Sequence, residues 1–340
     1  MLSAIVIVGP ESRGRSKRGE TTAQKVSGAY LGQQGTPLVC VEVLGRSVIE
    51  RLIDELRRGG VEKISVYQGI SDSSSCADIH STSPIEFCSA ETAWTGATQR
   101  LANCKDTGAE AIVVTRVTGY MDLDLKDALR FHREQGQVVT RAFYDEEPLD
   151  LWIVDPAGIN EGTDILSARS KVEPAHYLVP GYVNRLQDPG DLRRLVVDGL
   201  TGRCGLRPNG LETRPGVWIG EETQVHRDAR IVAPVFIGRG ARIAEQCLIT
   251  RCSSIESNCY VDYGTVVEDS SVLSNSYVGI GLDVAHSIVD GNNLLNLERD
   301  VTLEISDPCV MRQNRVPRQA GTVQSPVSSG VENVAWVQAE

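Results

Sequence analysis

An aliphatic residue recurs every six positions through the second half of the chain, and this period constrains the fold more than any other feature. The run is Ile219, Val225, Ile231, Ile237, Ile243, Ile249, Ile255, Val261, Val267 and Leu273. A period of six matches neither the 3.6-residue repeat of an α-helix nor the two-residue alternation of a simple strand. It is typical of a parallel β-helix in which each hexapeptide forms one side of a triangular coil. We therefore predict aliphatic residues stacked inside the coils, with the frame slipping by one residue near 278.

The first half alternates strand-like and helix-like segments. Strands are predicted at 3–8, 63–67, 110–115 and 137–143, and helices at 46–58, 91–104, 124–135 and 188–200. Strands separated by helices predict an α/β fold with a parallel sheet and crossover connections. We expect an α/β domain over 1–205, a parallel β-helix over 206–295 and a C-terminal extension over 296–340.

Composition excludes several classes of partner. The formal net charge is −11, whereas broad nucleic-acid binding needs a basic surface. No apolar run approaches the roughly 18 residues that a membrane-spanning helix needs. The nine cysteines include no CxxC pair, so we interpret them as reduced core residues of a cytoplasmic protein. Together with the negative charge and the short apolar runs, this predicts a protein that binds neither nucleic acid nor membrane.

The stretch from Gly9 to Gly35 follows the first predicted strand and shows no periodicity. It carries Arg13, Arg15 and Lys25 among its basic residues. Loops behind the first strand of a parallel sheet are where phosphate groups bind in α/β folds. Two interpretations remain open at this point, a solvated loop and a loop that faces phosphate.

Three stretches resemble the sugar-1-phosphate nucleotidyltransferases, in particular the mannose-1-phosphate guanylyltransferase-like and glucose-1-phosphate adenylyltransferase-like types. These stretches are PLVCVEVLGRSVIERLIDELRRGGVEKISVY (37–67), AIVVTRVTGYMDLDLKDALRFHREQG (111–136) and YLVPGYVNRLQDPGDLRRLVVDGL (177–200). The resemblance implies a Rossmann-like nucleotidyltransferase domain followed by a left-handed β-helix. It also implies attack of a sugar-1-phosphate on a nucleoside triphosphate, with pyrophosphate as the leaving group and Mg²⁺ as the cofactor.

The same resemblance assigns site residues, although the chain departs from the family pattern in the first loop, at the lysine before Pro37 and at the metal aspartate. Gly9, Arg13, Arg15 and Lys25 are expected to bind the nucleotide, and Arg13, Arg15 and Asp122 to act in catalysis; Asp122 and Asp124 are the candidate metal ligands. The lysine of the family falls at Thr36 and its metal aspartate at Thr118. Loss of both charges weakens stabilisation of the transition state.

The sequence therefore leaves three functions open. The chain is an active transferase, a non-catalytic relative that binds a nucleotide sugar or a catalytic paralogue, or a hexapeptide-repeat acyltransferase that uses His226 or His286. The expected partners are a nucleotide or nucleotide sugar, a sugar phosphate, and further copies of this chain or of a paralogue. Both histidines are predicted at exposed coil corners.

Five other residues are interpreted as structural. His132 is expected on a solvated helix face, Trp152 and Trp94 in packing, and Asp150 and Asp155 in turns flanking the strand LWIV.

Overall fold

The computed structural model describes residues 1–9, 30–31, 36–69, 85–90, 93–102, 109–158, 173–314 and 336–338. The predictions for Arg13, Arg15 and Lys25 lie outside these residues. The chain divides into two compact units, the first made of Met1–Cys40 and Ser47–Asp188 and the second of Val41–Arg46 and Pro189–Glu340. A short segment that the sequence placed in the α/β domain is thus part of the second unit.

The helices and strands of the first 201 residues agree closely with the predicted segments. They are β1 Leu2–Val8, β2 Tyr30–Leu31, β3 Thr36–Pro37, β4 Glu42–Val43, β5 Arg46–Ser47, α1 Val48–Arg58, β6 Val61–Gly69, β7 Glu86–Ala90, α2 Ala93–Ala102, β8 Ala111–Arg116, β9 Tyr120–Met121, α3 Leu125–Gln135, β10 Val139–Tyr144, β11 Glu147–Val154, β12 Ala175–Leu178, β13 Val183–Asn184 and α4 Pro189–Thr201.

Seven strands of the first unit form one sheet in the order β12-β10-β11-β8-β1-β6-β7. β1 pairs in parallel with both β6 and β8. The sheet is parallel as predicted except at β11, which runs antiparallel to β10 and to β8. The reason is the two-residue turn at Asp145 and Glu146, whose φ angles of 49° and 63° reverse the chain as tight hairpin turns do.

Local signals explain where the helices begin and end. At the start of α1 the Ser47 side chain accepts from the Glu50 amide while the Glu50 side chain accepts from the Ser47 amide, which satisfies two amides that a helix start leaves free. Gly136 ends α3 in the left-handed conformation, which glycine adopts without a steric penalty.

The strands of the second unit are short and regularly spaced. They are β14 Leu211–Arg214, β15 Val217–Ile219, β16 Gln224–His226, β17 Arg230–Ile231, β18 Val235–Ile237, β19 Arg242–Ile243, β20 Leu248–Thr250, β21 Ser254–Ile255, β22 Tyr260–Val261, β23 Val266–Glu268, β24 Ser271–Val272, β25 Ser276–Val278, β26 Asp283–Ala285, β27 Ser287–Asp290, β28 Asn293–Asn296, β29 Val301–Glu304, β30 Met311–Gln313 and β31 Trp336–Gln338.

The six-residue repeat is built as three parallel ladders. The first ladder joins Ile219, Ile237, Ile255, Val272 and Val289; the second joins Val225, Ile243, Val261 and Val278; the third joins Ile231, Ile249, Val267 and Val284. Most of these side chains are fully buried in one hydrophobic cluster. Each aliphatic residue therefore lies on its counterpart from the next turn of chain, and this parallel arrangement is consistent with a β-helix.

The frame slips earlier than the sequence suggested. Val272, not Leu273, pairs with Ile255, so the slip lies between Val267 and Val272. The corner before β21 contains two residues in the left-handed conformation, Arg251 and Cys252. The equivalent corner one turn of chain later, before β24, contains one such residue, Asp269. One fewer residue at the corner shortens the repeat by one.

The C-terminal extension packs as strands on the second ladder. β30 pairs antiparallel with β25, and β31 pairs antiparallel with β16. β28 and β29 continue the first ladder with antiparallel pairing.

The segment Val41–Arg46 is anchored within the second unit by a buried carboxylate. Glu256 is fully buried, and its two oxygens accept the amides of Leu44 and Gly45 at 3.0 and 2.8 Å. Glu42 adds a second carboxylate, which accepts the Ser257 amide at 3.3 Å. Burial, followed by the negative charge of Glu42, raises the pKa of Glu256 to about 7.

The prediction that every cysteine is a reduced core residue is wrong for Cys40, which is disulfide-bonded, and for Cys309, which is reduced but exposed. Cys247 and Cys259 fill the ladder core as expected and are almost fully buried. Among the described residues, no helix combines the length and the apolar character required to cross a membrane.

Candidate functional site

The strand order marks one edge of the first sheet as the place for a ligand. From β1 the chain continues to β6 and β7 on one side, then returns to β8 on the other side of β1. Ligands of open α/β sheets bind at the carboxyl ends of the strands where the order reverses in this way. Ile7 pairs with Arg116 there, and the Val117 amide donates to the Ile7 carbonyl at 2.9 Å. Gly9, a predicted binding residue, leaves this edge with a φ of 121°.

Asp122, the predicted catalytic carboxylate, lies directly after β9, between β8 and α3, and is held in place by two tyrosines. The Tyr120 hydroxyl donates to Asp122 Oδ1 at 2.6 Å, and the Asp122 amide donates to the Tyr182 carbonyl at 2.8 Å. The side chain is half-buried. Pairing of β9 with β13 joins these two stretches of chain.

Two glycines allow the backbone to approach closely at this turn. A Cβ at Gly119 would lie 2.2 Å from the Asn184 carbonyl oxygen, and a Cβ at Gly181 would lie 2.7 Å from the Asp122 Cβ. Neither position tolerates a side chain without movement of the backbone, so the two glycines fix where Asp122 lies.

The structure places the other predicted residues in different roles. Asp124 caps α3, where its Oδ1 accepts the Asp127 amide at 3.0 Å. Thr118 is exposed at the carboxyl edge, and Thr36 pairs with Leu31 in the small β2–β3 ladder. Arg13, Arg15 and Lys25 fall outside the described residues.

These donors do not fit a Mg²⁺ site. One Asp122 oxygen accepts from Tyr120, Asp124 serves as a helix cap, and the Thr118 hydroxyl brings no charge. Within the described ranges, no three His, Cys, Asp or Glu side chains are grouped closely enough to hold a metal ion. Mg²⁺ at phosphate sites is usually held by one or two carboxylates together with water and substrate phosphates. Of the predicted ligands, Asp122 is the one whose carboxylate does not cap a helix, so at most one of them fits such a site.

Two arginines share one carboxylate next to the same edge. Asp150 on β11 accepts from Arg116 through Nε at 2.8 Å and through Nη2, and its other oxygen lies 3.8 Å from Arg141 Nη2. Arg141 Nε donates to the Leu149 carbonyl at 3.1 Å. All three side chains are partly covered, with 18–24% of their surface exposed. Burial lowers the pKa of the Arg141 guanidinium. The negative charge of Asp150 acts in the opposite direction, and the positive charge of Arg116 lowers the pKa further.

Two tryptophans contact these arginines. The Arg116 guanidinium lies 5.9 Å from the Trp94 ring centroid, and that of Arg141 lies 5.0 Å from Trp152. The two indoles pack edge to face with centroids 6.2 Å apart. Cations over indole faces at such distances are stabilised electrostatically. We call Arg116, Arg141, Asp150, Trp94 and Trp152 the Arg–Trp cluster.

Sequence reasoning missed this cluster in part. Trp152 is 3% exposed and packs as expected, and Asp155 lies in a turn, where it accepts the Ala157 amide. The turn assignment is wrong for Asp150, which lies within β11. The sequence did indicate that Arg116 ends a strand, because it is a charged residue directly after the apolar run AIVVT.

Two of three histidines lie in surroundings that differ from the predicted ones. His132 is buried, not solvated, and its Nδ1 lies 2.8 Å from the Thr140 hydroxyl. His226 is also buried, so its predicted exposure is wrong. His286 is 39% exposed and its Nδ1 lies 2.7 Å from Asp269 Oδ2. The described strands of the three ladders follow one another without an inserted loop that would form an acyl-donor cleft.

No family model matches the chain, and no curated protein matches it.

Proposed function

We propose that this protein binds a nucleotide sugar or sugar phosphate at the carboxyl edge between β1 and β8, as a relative of the sugar-1-phosphate nucleotidyltransferases. On this proposal the three ladders are a left-handed parallel β-helix. The protein works in the cytoplasm despite the Cys40 disulfide, which is uncommon in that compartment. The observation that carries the proposal is the reversal of strand order at β1 and β8, directly before the basic Gly9–Gly35 stretch. Both features belong to phosphate-binding edges in α/β folds.

The described side chains support binding better than turnover. Transfer of a nucleotidyl group forms a bond from a sugar-phosphate oxygen to the α-phosphorus and breaks the bond to the departing pyrophosphate. The negative charge that moves onto pyrophosphate must be stabilised at the site. Thr118 supplies a neutral hydroxyl where the family resemblance implies a carboxylate, and Asp124 caps a helix. We therefore propose a binding protein whose transfer activity is absent or strongly reduced.

An active transferase is the second candidate, and the position of Asp122 favours it. Its carboxylate lies four residues beyond Thr118 at the same edge and is oriented by Tyr120 at 2.6 Å. A carboxylate held in this way can accept a hydrogen bond from a sugar hydroxyl and so orient the substrate.

One set of measurements separates these functions. Isothermal titration calorimetry with UDP-glucose, GDP-mannose, ADP-glucose and glucose 1-phosphate tests binding, and a coupled pyrophosphate assay with nucleoside triphosphates tests turnover. Binding without pyrophosphate release supports the proposed function, whereas release on mixing both substrates supports the transferase. Failure to bind any of these ligands, or binding of acetyl-CoA in their place, contradicts both.

Association with further chains is part of the proposal. In the described part of the second unit, the exposed large apolar residues include Leu211, Ile280, Val301 and Leu303, whose exposure ranges from 41% to 64%. We expect a homo-oligomer, or a hetero-oligomer with a catalytic paralogue, and light scattering of the purified chain tests the first of these.

A further inference from the structure

We propose that the Arg–Trp cluster binds the phosphate group of a sugar phosphate through the guanidinium groups of Arg116 and Arg141, without a metal ion. This inference rests on the proposed function and assigns the phosphate to a defined pair of side chains. The exchange is non-covalent, because phosphate oxygens replace part of the hydrogen bonding that Asp150 now provides.

The charges in the cluster favour an anion. Among the described side chains, two guanidinium groups face the carboxylate of Asp150, so these three groups together carry one net positive charge beside the carboxyl edge. Arg141 makes one hydrogen bond to the described part of the chain, from Nε to Leu149 O, while its Nη2 lies 3.8 Å from Asp150. Guanidinium is a planar fork that matches two phosphate oxygens. A phosphate would give Arg141 a second acceptor and balance the charge.

The surroundings would strengthen such a contact. Trp94 and Trp152 cover one side of each guanidinium at 5.9 and 5.0 Å, so water is excluded from that side. Arg116 and Arg141 still expose 19% and 24% of their side chains. Partial burial makes ionic hydrogen bonds stronger than on an open surface, while this exposure leaves a path for a ligand.

The position of the cluster connects it to the ligand edge. Arg116 pairs directly with Ile7 at the end of β1, two residues before Gly9. A phosphate on Arg116 would therefore lie next to the strand reversal where the proposed ligand binds. The guanidinium groups would supply the positive charge that carboxylate-bound Mg²⁺ supplies elsewhere, which agrees with the poor fit of Thr118 and Asp124 to a metal site.

The first test measures binding of glucose 1-phosphate and of inorganic phosphate by calorimetry, in excess EDTA and in excess MgCl₂. We expect the sugar phosphate to bind the full-length protein equally well in both buffers, more tightly than inorganic phosphate, and more weakly as salt is raised. Dependence on MgCl₂, or binding that does not weaken as salt is raised, would overturn the assignment.

The second test uses variants of the cluster, each checked for folding by circular dichroism. Arg141→Gln should weaken binding by on the order of ten-fold, since one charged hydrogen-bonding group is lost. Arg141→Lys should give an intermediate loss because it keeps the charge without the fork. The matched control is Arg130→Gln, which removes an equally charged but 69% exposed side chain from α3 and should leave binding unchanged.

Asp150→Asn separates a binding role from a purely structural one. If phosphate competes with Asp150 for the arginines, removal of its charge should tighten binding several-fold even as it lowers thermal stability. Unchanged binding by folded Asp150→Asn and Arg141→Gln proteins would refute the role of the cluster while leaving the proposed function standing. Absence of any sugar-phosphate or nucleotide-sugar binding by the unaltered protein would instead refute the proposed function itself.

Discussion

Arg193 on α4 donates to the Asp269 carboxylate at 2.7 Å, at the corner where the ladder repeat is one residue short. The arginine is 6% exposed and also donates to the Cys252 and Asp269 carbonyls at 2.8 and 3.2 Å. One side chain therefore satisfies acceptors from two successive turns of chain. Burial lowers the pKa of Arg193, while the hydrogen bond to Asp269 acts in the opposite direction.

Arg193→Met should destabilise the second unit by about 1–3 kcal/mol, because the partly buried Cys252 and Asp269 carbonyls lose their donor. The Asp269 carboxylate, 38% exposed, is solvated again in the variant and adds little to the loss. Urea unfolding with circular dichroism measures this change. Arg194→Met is the matched control on the next residue, whose side chain is 68% exposed, and it should change stability by about 0.5 kcal/mol or less. Equal effects of the two substitutions would show that the buried contacts contribute little.

Glu256 should make the second unit less stable as pH rises from about 4.5 to about 7. In this range the folded carboxyl, with a pKa of about 7, still holds the proton that the unfolded chain has released from a group with an ordinary value of 4.5. Unfolding then releases a proton, so rising pH favours it, by about 3 kcal/mol across the full range.

Unfolding free energies at several pH values check this prediction against Glu256→Gln. The amide does not titrate, so this slope should disappear in the variant whatever its absolute stability. An unchanged slope in Glu256→Gln would assign the pH dependence to other groups.

His132 should act in the opposite direction in the first unit. Burial lowers its pKa below the ordinary 6.5, with smaller opposing and reinforcing effects from Asp155 and Arg133. The unfolded chain therefore binds a proton near and below pH 6.5 that the folded chain does not, so stability falls as pH falls through this range. His132→Gln should flatten the decline in acid-induced unfolding followed by tryptophan fluorescence. Thr140→Val, which removes the hydroxyl 2.8 Å from Nδ1, should retain the decline.

The sequence predicted the ladders because aliphatic side chains that are all buried along one axis must recur at a fixed period of six residues. It did not predict the place of the slip, because this depends on backbone conformation at corners. Arg251, Cys252 and Asp269 all adopt positive φ although none is glycine. Their side chains carry little information about a conformation that neighbouring turns of chain enforce.

The ligand edge could be inferred in part for a similar reason. Gly9, Thr118 and Asp122 follow predicted parallel strands, so their common edge is determined by the α/β pattern. The Arg–Trp cluster could not be inferred, because Asp150 reaches Arg116 only when β11 runs antiparallel to β8. Periodicity identifies a strand without giving its direction, and Asp145 and Glu146 are not the Asn-Gly or Asp-Gly pair that announces a tight hairpin.

Gly119→Ala should weaken ligand binding at the edge between β1 and β8. The new Cβ would lie 2.2 Å from the Asn184 carbonyl oxygen, so β9 and β13 must separate and the Tyr120–Asp122 contact must shift. We expect a stability loss of about 1–3 kcal/mol from overpacking and binding of sugar phosphate weaker by about ten-fold. Calorimetry on the folded variant measures the binding.

Gly136→Ala is the control for a glycine substitution in the same unit. Gly136 has a φ of 61° but no atom within 4 Å of an added Cβ, so alanine should cost about 1 kcal/mol through backbone strain alone. Because the C-terminus of α3 is not part of the proposed site, sugar-phosphate affinity should stay at the level of the unaltered protein. If Gly119→Ala binds as well as Gly136→Ala, the turn that holds Asp122 does not contribute to the ligand site, and the site must be sought along other parts of the same edge.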